Sequence, residues 1–197
     1  VVYLFYKSTS FQAKHCRSLA KEMGNFIFGI SEWSENLAED EFSVVTNKFG
    51  SEIALSVLFI KIRRSWISNV RLKVKVPVDL EFNLIKDVNY DEVYDLPELA
   101  VPDVVFKKTF KIFSNDEKIF SKLPFNFLKS LQESKYFYML ETRSEYLSVD
   151  FKPTQFSLIP PKQEIREAAV EVLKFLAPQL LEKMSTRVNN EQFIHKS

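Results

Sequence analysis

The sequence predicts an α+β fold: a twisted antiparallel sheet, in one or two segments, with three main helices packed mostly on one face and a long C-terminal helix lying on the sheet. Three observations predict it. Between Val70 and Leu84 apolar residues (Val70, Leu72, Val74, Val76, Val78, Leu80, Phe82, Leu84) alternate with Arg71, Lys73, Lys75, Asp79, Glu81 and Asn83, the period of a strand with one buried and one wet face. From Lys162 to Arg187, Ile165, Ala168, Ala169, Val172, Leu173, Leu176, Leu180 and Leu181 recur at the spacing of one buried helical stripe. Nineteen phenylalanines against three glycines favour regular elements packed on aromatic side chains.

Taken in order, Val1–Tyr6 is an apolar aromatic stub, read either as a first strand or as the exit of a transmembrane helix, because only cations (Lys7, Lys14, Arg17, Lys21) follow it before Glu22. Ser10–Met23 reads as a helix stopped by Gly24, and Asn25–Ile30 as a short strand. Ser31–Glu41 is acidic and irregular, tethered by Trp33 and Leu37. Phe42–Phe49 and Ile53–Ile62 are strands, the second apolar on both faces and therefore central. Arg63–Asn69 connects it to the Val70–Leu84 strand as a hairpin. An acidic stretch, 87–103, with Pro97 and Pro102, marks a linker, so the chain is one domain or two lobes, 1–86 and 104–197. Beyond it Phe106–Phe113 reads as a strand and Asn115–Glu133 as helix interrupted at Pro124. Tyr136–Thr142, Tyr146–Lys152 and Gln155–Leu158 are strands of a meander. The C-terminal helix begins at Lys162, and Pro178 should kink it near Lys174–Leu176 or end it early.

Composition narrows the function classes. With 46% hydrophobic and 27% charged residues the chain is neither disordered nor a membrane bundle, and a net charge of +1 gives no general attraction to nucleic acid. The single cysteine, Cys16, excludes an internal disulfide and any multi-cysteine metal site. Gly24, Gly29 and Gly50 cannot spell a phosphate loop or a dinucleotide fingerprint. No Ser-centred elbow, zinc-ligand spacing or kinase signature is present, and His15, about 100° around a helix from Cys16, is poorly placed to activate that thiol. The sequence implies no cofactor and no catalytic residue.

Two constellations remain. Asp87, Asn89, Asp91, Asp95 and Glu98 have the ligand spacing of a calcium loop, but Glu92 stands where the sharp turn needs glycine, so the stretch is read as a solvated linker. Lys61, Arg63 and Arg64 precede a hairpin tip carrying Trp66 and Ile67, and Arg71, Lys73 and Lys75 follow on the polar strand face. Cations around an exposed tryptophan suit an anionic membrane surface better than nucleic acid, for which one indole is a poor stacking platform. The competing expectation is that Trp66 folds onto the core and the cations pair with Asp79, Glu81 or the linker.

At Leu19-Ala20-Lys21-Glu22-Met23-Gly24, and from Leu96-Pro97-Glu98 through Phe106-Lys107-Lys108-Thr109-Phe110-Lys111-Ile112-Phe113-Ser114-Asn115-Asp116-Glu117, the chain resembles prokaryotic membrane-anchored proteins of unknown function. In these one or two transmembrane helices precede a cytosolic α+β domain. The resemblance implies a tether and a location on the cytoplasmic side of a membrane; without a tether the expected location is the cytoplasm. It implies no activity. The leading expectation is a non-enzymatic domain acting through a protein partner or contact with an anionic membrane surface. The alternative is a hydrophobic-ligand binder in which the sheet grips the last helix, and an enzyme of unknown class stands third.

Overall fold

The computed structural model describes residues 2–35, 42–62, 65–86, 95–152 and 161–184, with the backbone alone for 2–11, 59–62 and 65–68. A nine-stranded open sheet, antiparallel at every pairing, has the order β1-β2-β3-β4-β9-β8-β5-β7-β6. Its strands are β1 Ser34–Glu35, β2 Ser43–Thr46, β3 Ile53–Ile62, β4 Ser65–Val74, β5 Phe82–Ile85, β6 Glu98–Leu99, β7 Lys111–Phe113, β8 Phe137–Arg143 and β9 Tyr146–Phe151. The helices are α1 Val2–Phe28, α2 Val104–Lys107, α3 Ile119–Lys122, α4 Phe125–Glu133 and α5 Lys162–Leu176, with a further helical segment over 178–184.

The chain is one helix from Val2 to Phe28, which overturns both the first-strand alternative for Val1–Tyr6 and the strand expected at Asn25–Ile30. Gly24 does not stop α1. It sits inside the helix because a Cβ there would collide with the Trp33 ring folded against it. The actual stop is Gly29, at φ +68°, whose N–H donates to the Asn25 carbonyl at 2.9 Å. Trp33 is held in place by its indole N–H, which donates to Asn25 Oδ1 at 3.0 Å, and by the Phe28 ring at 6.1 Å.

The long alternating stretch is two strands rather than one. Pro77 has no N–H to donate, and the ladder of β4 ends at Val74. Residues 75–81 then cross the end of the β8–β9 hairpin, where the Val78 N–H donates to the Ser144 carbonyl and the Ser144 N–H to Glu81 Oε1. The Thr142 hydroxyl donates to the Leu80 carbonyl at 2.6 Å and accepts from the Phe82 N–H at 2.9 Å, seating β5 beside β8. The alternation survives the break: Val76 and Val78 stay buried, Lys75 and Asp79 exposed.

One row of side chains runs across eight strands in register: Val44, Leu55, Leu72, Val149, Leu140, Leu84, Ile112 and Leu99. All but Leu99 are buried, and they form the floor on which the helices sit. Helix α1 packs on β2 and β3, α5 on β9 and α1, and α4 on α5. Ile165, Ala169, Val172 and Leu173 of α5 are fully buried, and the Phe127 and Phe175 rings, 4.6 Å apart, join α4 to α5. Pro178 ends α5 at Leu176, well before Arg187. The strand expected at Phe106–Phe113 is corrected to a turn of helix, α2, and the short β7. Asp103 caps α2 by accepting the Val105 N–H at 2.7 Å, which opens a helix where aromatic alternation suggested a strand. Strands from both sides of 87–103 hydrogen-bond in the same sheet, β4 to β9 and β5 to β7 and β8. The expected strand Gln155–Leu158 and Leu37 lie outside the described residues.

Candidate contact surface

Arg63 and Arg64 lie outside the described residues, and for Trp66 and Ile67 only the backbone is described. That backbone is strand, not loop: Trp66 pairs with Lys61 and Ile67 with Ile60, so the ladder of β3 and β4 shortens the expected Arg63–Asn69 connection to two residues. Arg71 is committed to a neighbour. Its Nε and Nη2 donate to the two oxygens of Asp150 at 2.7 and 2.8 Å, and Asn69 Nδ2 adds a third, longer contact at 3.4 Å. Asp150, on β9, is the partner in place of the expected Asp79 or Glu81, because β4 lies beside β9 and puts the two residues directly opposite. Lys73 stands 4.8 Å from the centre of the Tyr146 ring, and Lys75 is exposed.

Beside β3, β4 and β9 the outer face of the sheet is polar without being open, while at β5 and β7 it carries an apolar cluster of Ile85, Leu96, Phe113 and Met139. Ser43, Ser56, Asn69, Asn83, Ser148 and Asp150 are all buried. Glu141 accepts from Arg143 at 3.2 Å and from the Tyr146 hydroxyl. Among the described residues the Oδ1 atoms of Asn69 and Asn83 are buried with no hydrogen-bond partner.

Of the calcium-loop residues, Asp87, Asn89 and Asp91 lie outside the described residues. Asp95 is exposed, and Glu98 sits in edge strand β6 opposite Phe113. Among the described residues no group of three or more His, Cys, Asp or Glu side chains is placed to hold a metal ion, and no helix is long and apolar enough to cross a membrane. Cys16 is fully buried.

Open cavities flank the core, two of them formed by described residues. One of about 740 Å³ lies between α4 and α5 and is lined by charges of both signs, among them Glu133, Lys135, Glu164, Arg166, Glu171 and Lys174. The other, about 630 Å³, lies between the Trp33 segment and β2. Neither is an apolar chamber between α5 and the sheet. Lys86 ties off the end of α4: its ammonium donates to the carbonyls of Gln132, at 2.7 Å, and Ser134, and burial lowers its pKa from the ordinary lysine value.

The feature that stands out is the corner formed by α2 and the start of α4. Phe106 turns inward, 1% exposed, against Phe125, Phe110 and Phe120 at 5.3, 6.1 and 6.5 Å. A single helical turn that buries Phe106 must turn its neighbours outward, and Val104 and Val105 are 77% and 56% exposed. Phe125, the first residue of α4 after Pro124, is 54% exposed beside them. The corner is fastened: the Gln132 side-chain amide donates to the Val105 carbonyl at 3.2 Å and to Thr109 Oγ1 at 2.8 Å. Lys107 and Lys108 are exposed on the same turn, and among the described residues neither has a carboxylate partner. Lys122 is by contrast bound to Asp116 at 2.6 Å, and its ammonium, with the Lys118 backbone N–H second, holds that carboxyl below the ordinary value. Sequence reading missed this corner because the strand expected at Phe106–Phe113 left Val104 and Val105 unassigned between it and the linker. The available signal was Pro102-Asp103 directly before an apolar run, a helix opening.

The class these features define is an α+β protein with an open antiparallel sheet and an apolar corner. No protein-family model matches the chain, and no curated protein or solved structure is significantly similar to it.

Proposed function

We propose that this chain is a non-enzymatic interaction domain of a membrane-tethered protein on the cytoplasmic side, and that it works by surface contact through the α2–α4 corner. The observation that carries this reading is the corner itself. Of the four exposed large apolar side chains among the described residues, three, Val104, Val105 and Phe125, meet there. The fourth, Phe26, lies under the Arg166 guanidinium at 5.6 Å. Solvated apolar clusters rimmed by polar groups mark interaction sites in proteins that otherwise bury such residues. The two groups with clearly shifted pKa values, Lys86 and Asp116, are engaged with a helix end and with Lys122, which fits a structural role for both. Tethering is supported by the aromatic-then-basic pattern at the start of α1.

The reading is tested by placing photo-crosslinking residues at Val104, Phe125 and, as a control, Lys75 in the full-length protein in its own cells. Crosslinks from the first two positions and none from Lys75 are expected. Crosslinks from Lys75 alone would move the contact to the outer sheet face and end this proposal.

A further inference from the structure

We infer that the α2–α4 corner docks on an anionic phospholipid bilayer, inserting Val104, Val105 and Phe125 while Lys107 and Lys108 meet the headgroups. The inference rests on the contact reading above and names the partner. Shape supplies the first argument. Val104 at 77% exposure projects from the surface, and the apolar area of two valines and one phenylalanine falls well short of the roughly 800 Å² that each partner buries in a stable protein interface. A bilayer accepts projecting side chains one at a time and needs no matching groove.

Backbone satisfaction supplies the second. Entering the headgroup region strips water from polar groups, which is costly wherever they lack partners. Here the Val105 N–H is taken by Asp103 Oδ1, and the N–H groups of Phe106 and Lys107 by the Asp103 carbonyl. The Val105 carbonyl is taken by Gln132, and the Phe106 carbonyl accepts from Thr109 and Phe110. These groups of the turn therefore carry their hydrogen bonds with them.

Charge supplies the third. Among the described residues Lys107 and Lys108 have no carboxylate partner at the projecting end, whereas Lys122 and Lys129 further back face Asp116 and Glu133 at 2.6 and 3.9 Å. The cations beside the apolar side chains are thus left for headgroup phosphates and carboxylates. Each such lysine near an anionic surface strengthens binding about fivefold.

The test is co-sedimentation of the protein with vesicles of phosphatidylcholine alone and of phosphatidylcholine mixed with phosphatidylserine, with melting curves to confirm that every variant is folded. Wild type should bind the mixed vesicles and bind phosphatidylcholine weakly. Phe125→Ser, and separately Val104→Ser with Val105→Ser, should each weaken binding by about tenfold or more. Lys107→Glu with Lys108→Glu should abolish the preference for phosphatidylserine. Absence of wild-type binding, or equal binding by folded variants, overturns the inference. If vesicle binding fails while crosslinkers at 104 and 125 still capture a protein in cells, the lipid assignment falls and the contact reading stands. If neither vesicle binding nor crosslinking occurs, both fall.

Discussion

On the helix side of the sheet, Leu55, Leu72, Val149, Leu140 and Leu84 meet in one row with no exposed surface; one residue along each strand, the outer side carries Ala54, Lys73, Ser148, Glu141 and Asn83. Both rows belong to the same ladders, but different forces hold them. The inner row is stabilised by removal of apolar area, which is indifferent to direction and tolerates exchange among residues of similar size. The outer face beside β4 and β9 is held by directional pairs, of which Arg71 with Asp150, one row along, is the tightest, and such pairs are sensitive to the loss of one member. The comparison teaches that the alternating pattern establishes which face is buried, while partners on the other face depend on strand order.

Four substitutions separate the two faces, beginning with the largest effect. Leu140→Ala removes a fully buried side chain from the centre of the inner row and should cost about 2–5 kcal/mol in chemical denaturation. Arg71→Ala leaves the buried Asp150 carboxylate facing only Asn69, and should cost about 3 kcal/mol. Replacing both Arg71 and Asp150 by leucine should recover most of that loss, which distinguishes an orphaned charge from lost packing. If the double variant is no better than the single, the directional account of the outer face is wrong.

Gly24→Ala probes the seam where α1 meets Trp33. Alanine favours a helix by about 1 kcal/mol, but its Cβ would overlap the indole, so a net loss of about 1–2 kcal/mol is expected. Smallest should be Asn83→Leu. Its Oδ1 has no partner among the described residues, so replacing the buried amide by an alkyl group of similar size should change stability by less than about 1 kcal/mol.

Lys86 gives the comparison a pH handle. Burial lowers its folded-state pKa below the 10.5 of a free lysine, so between the lowered value and 10.5 the unfolded chain holds a proton that the folded chain has released. Stability attributable to this group therefore rises with pH across that window and is level below it. Urea denaturation at several alkaline pH values should show the rise in the wild type and a flatter profile in Lys86→Met.

Much of the architecture is legible from the residues, within limits set by physics. Strand β3 has its expected bounds, Ile53–Ile62, and α5 starts at Lys162, because period and flanking breakers are local properties. Pairing is not local. Nothing in Val70–Leu84 indicates that Leu72 lies beside Val149 while Leu84 lies beside Leu140 and Ile112. Gly24 reads as a stop by propensity, yet it is a clearance for Trp33, a contact made by a turn that sequence cannot place. The same limit hides the α2–α4 corner. Val104 and Phe125 are apolar, and nothing local shows that the inward turn of Phe106 leaves them outside. The basic strand face is legible as residues, whereas the partner of Arg71, Asp150, is set by strand order.

The central claim, that the corner is where this molecule meets a membrane, is tested most directly by hydrogen–deuterium exchange with and without phosphatidylcholine–phosphatidylserine vesicles. The account predicts new protection confined to 102–109 and 124–129, with β4 unchanged. Protection centred on 65–75, with none at the corner, would contradict it.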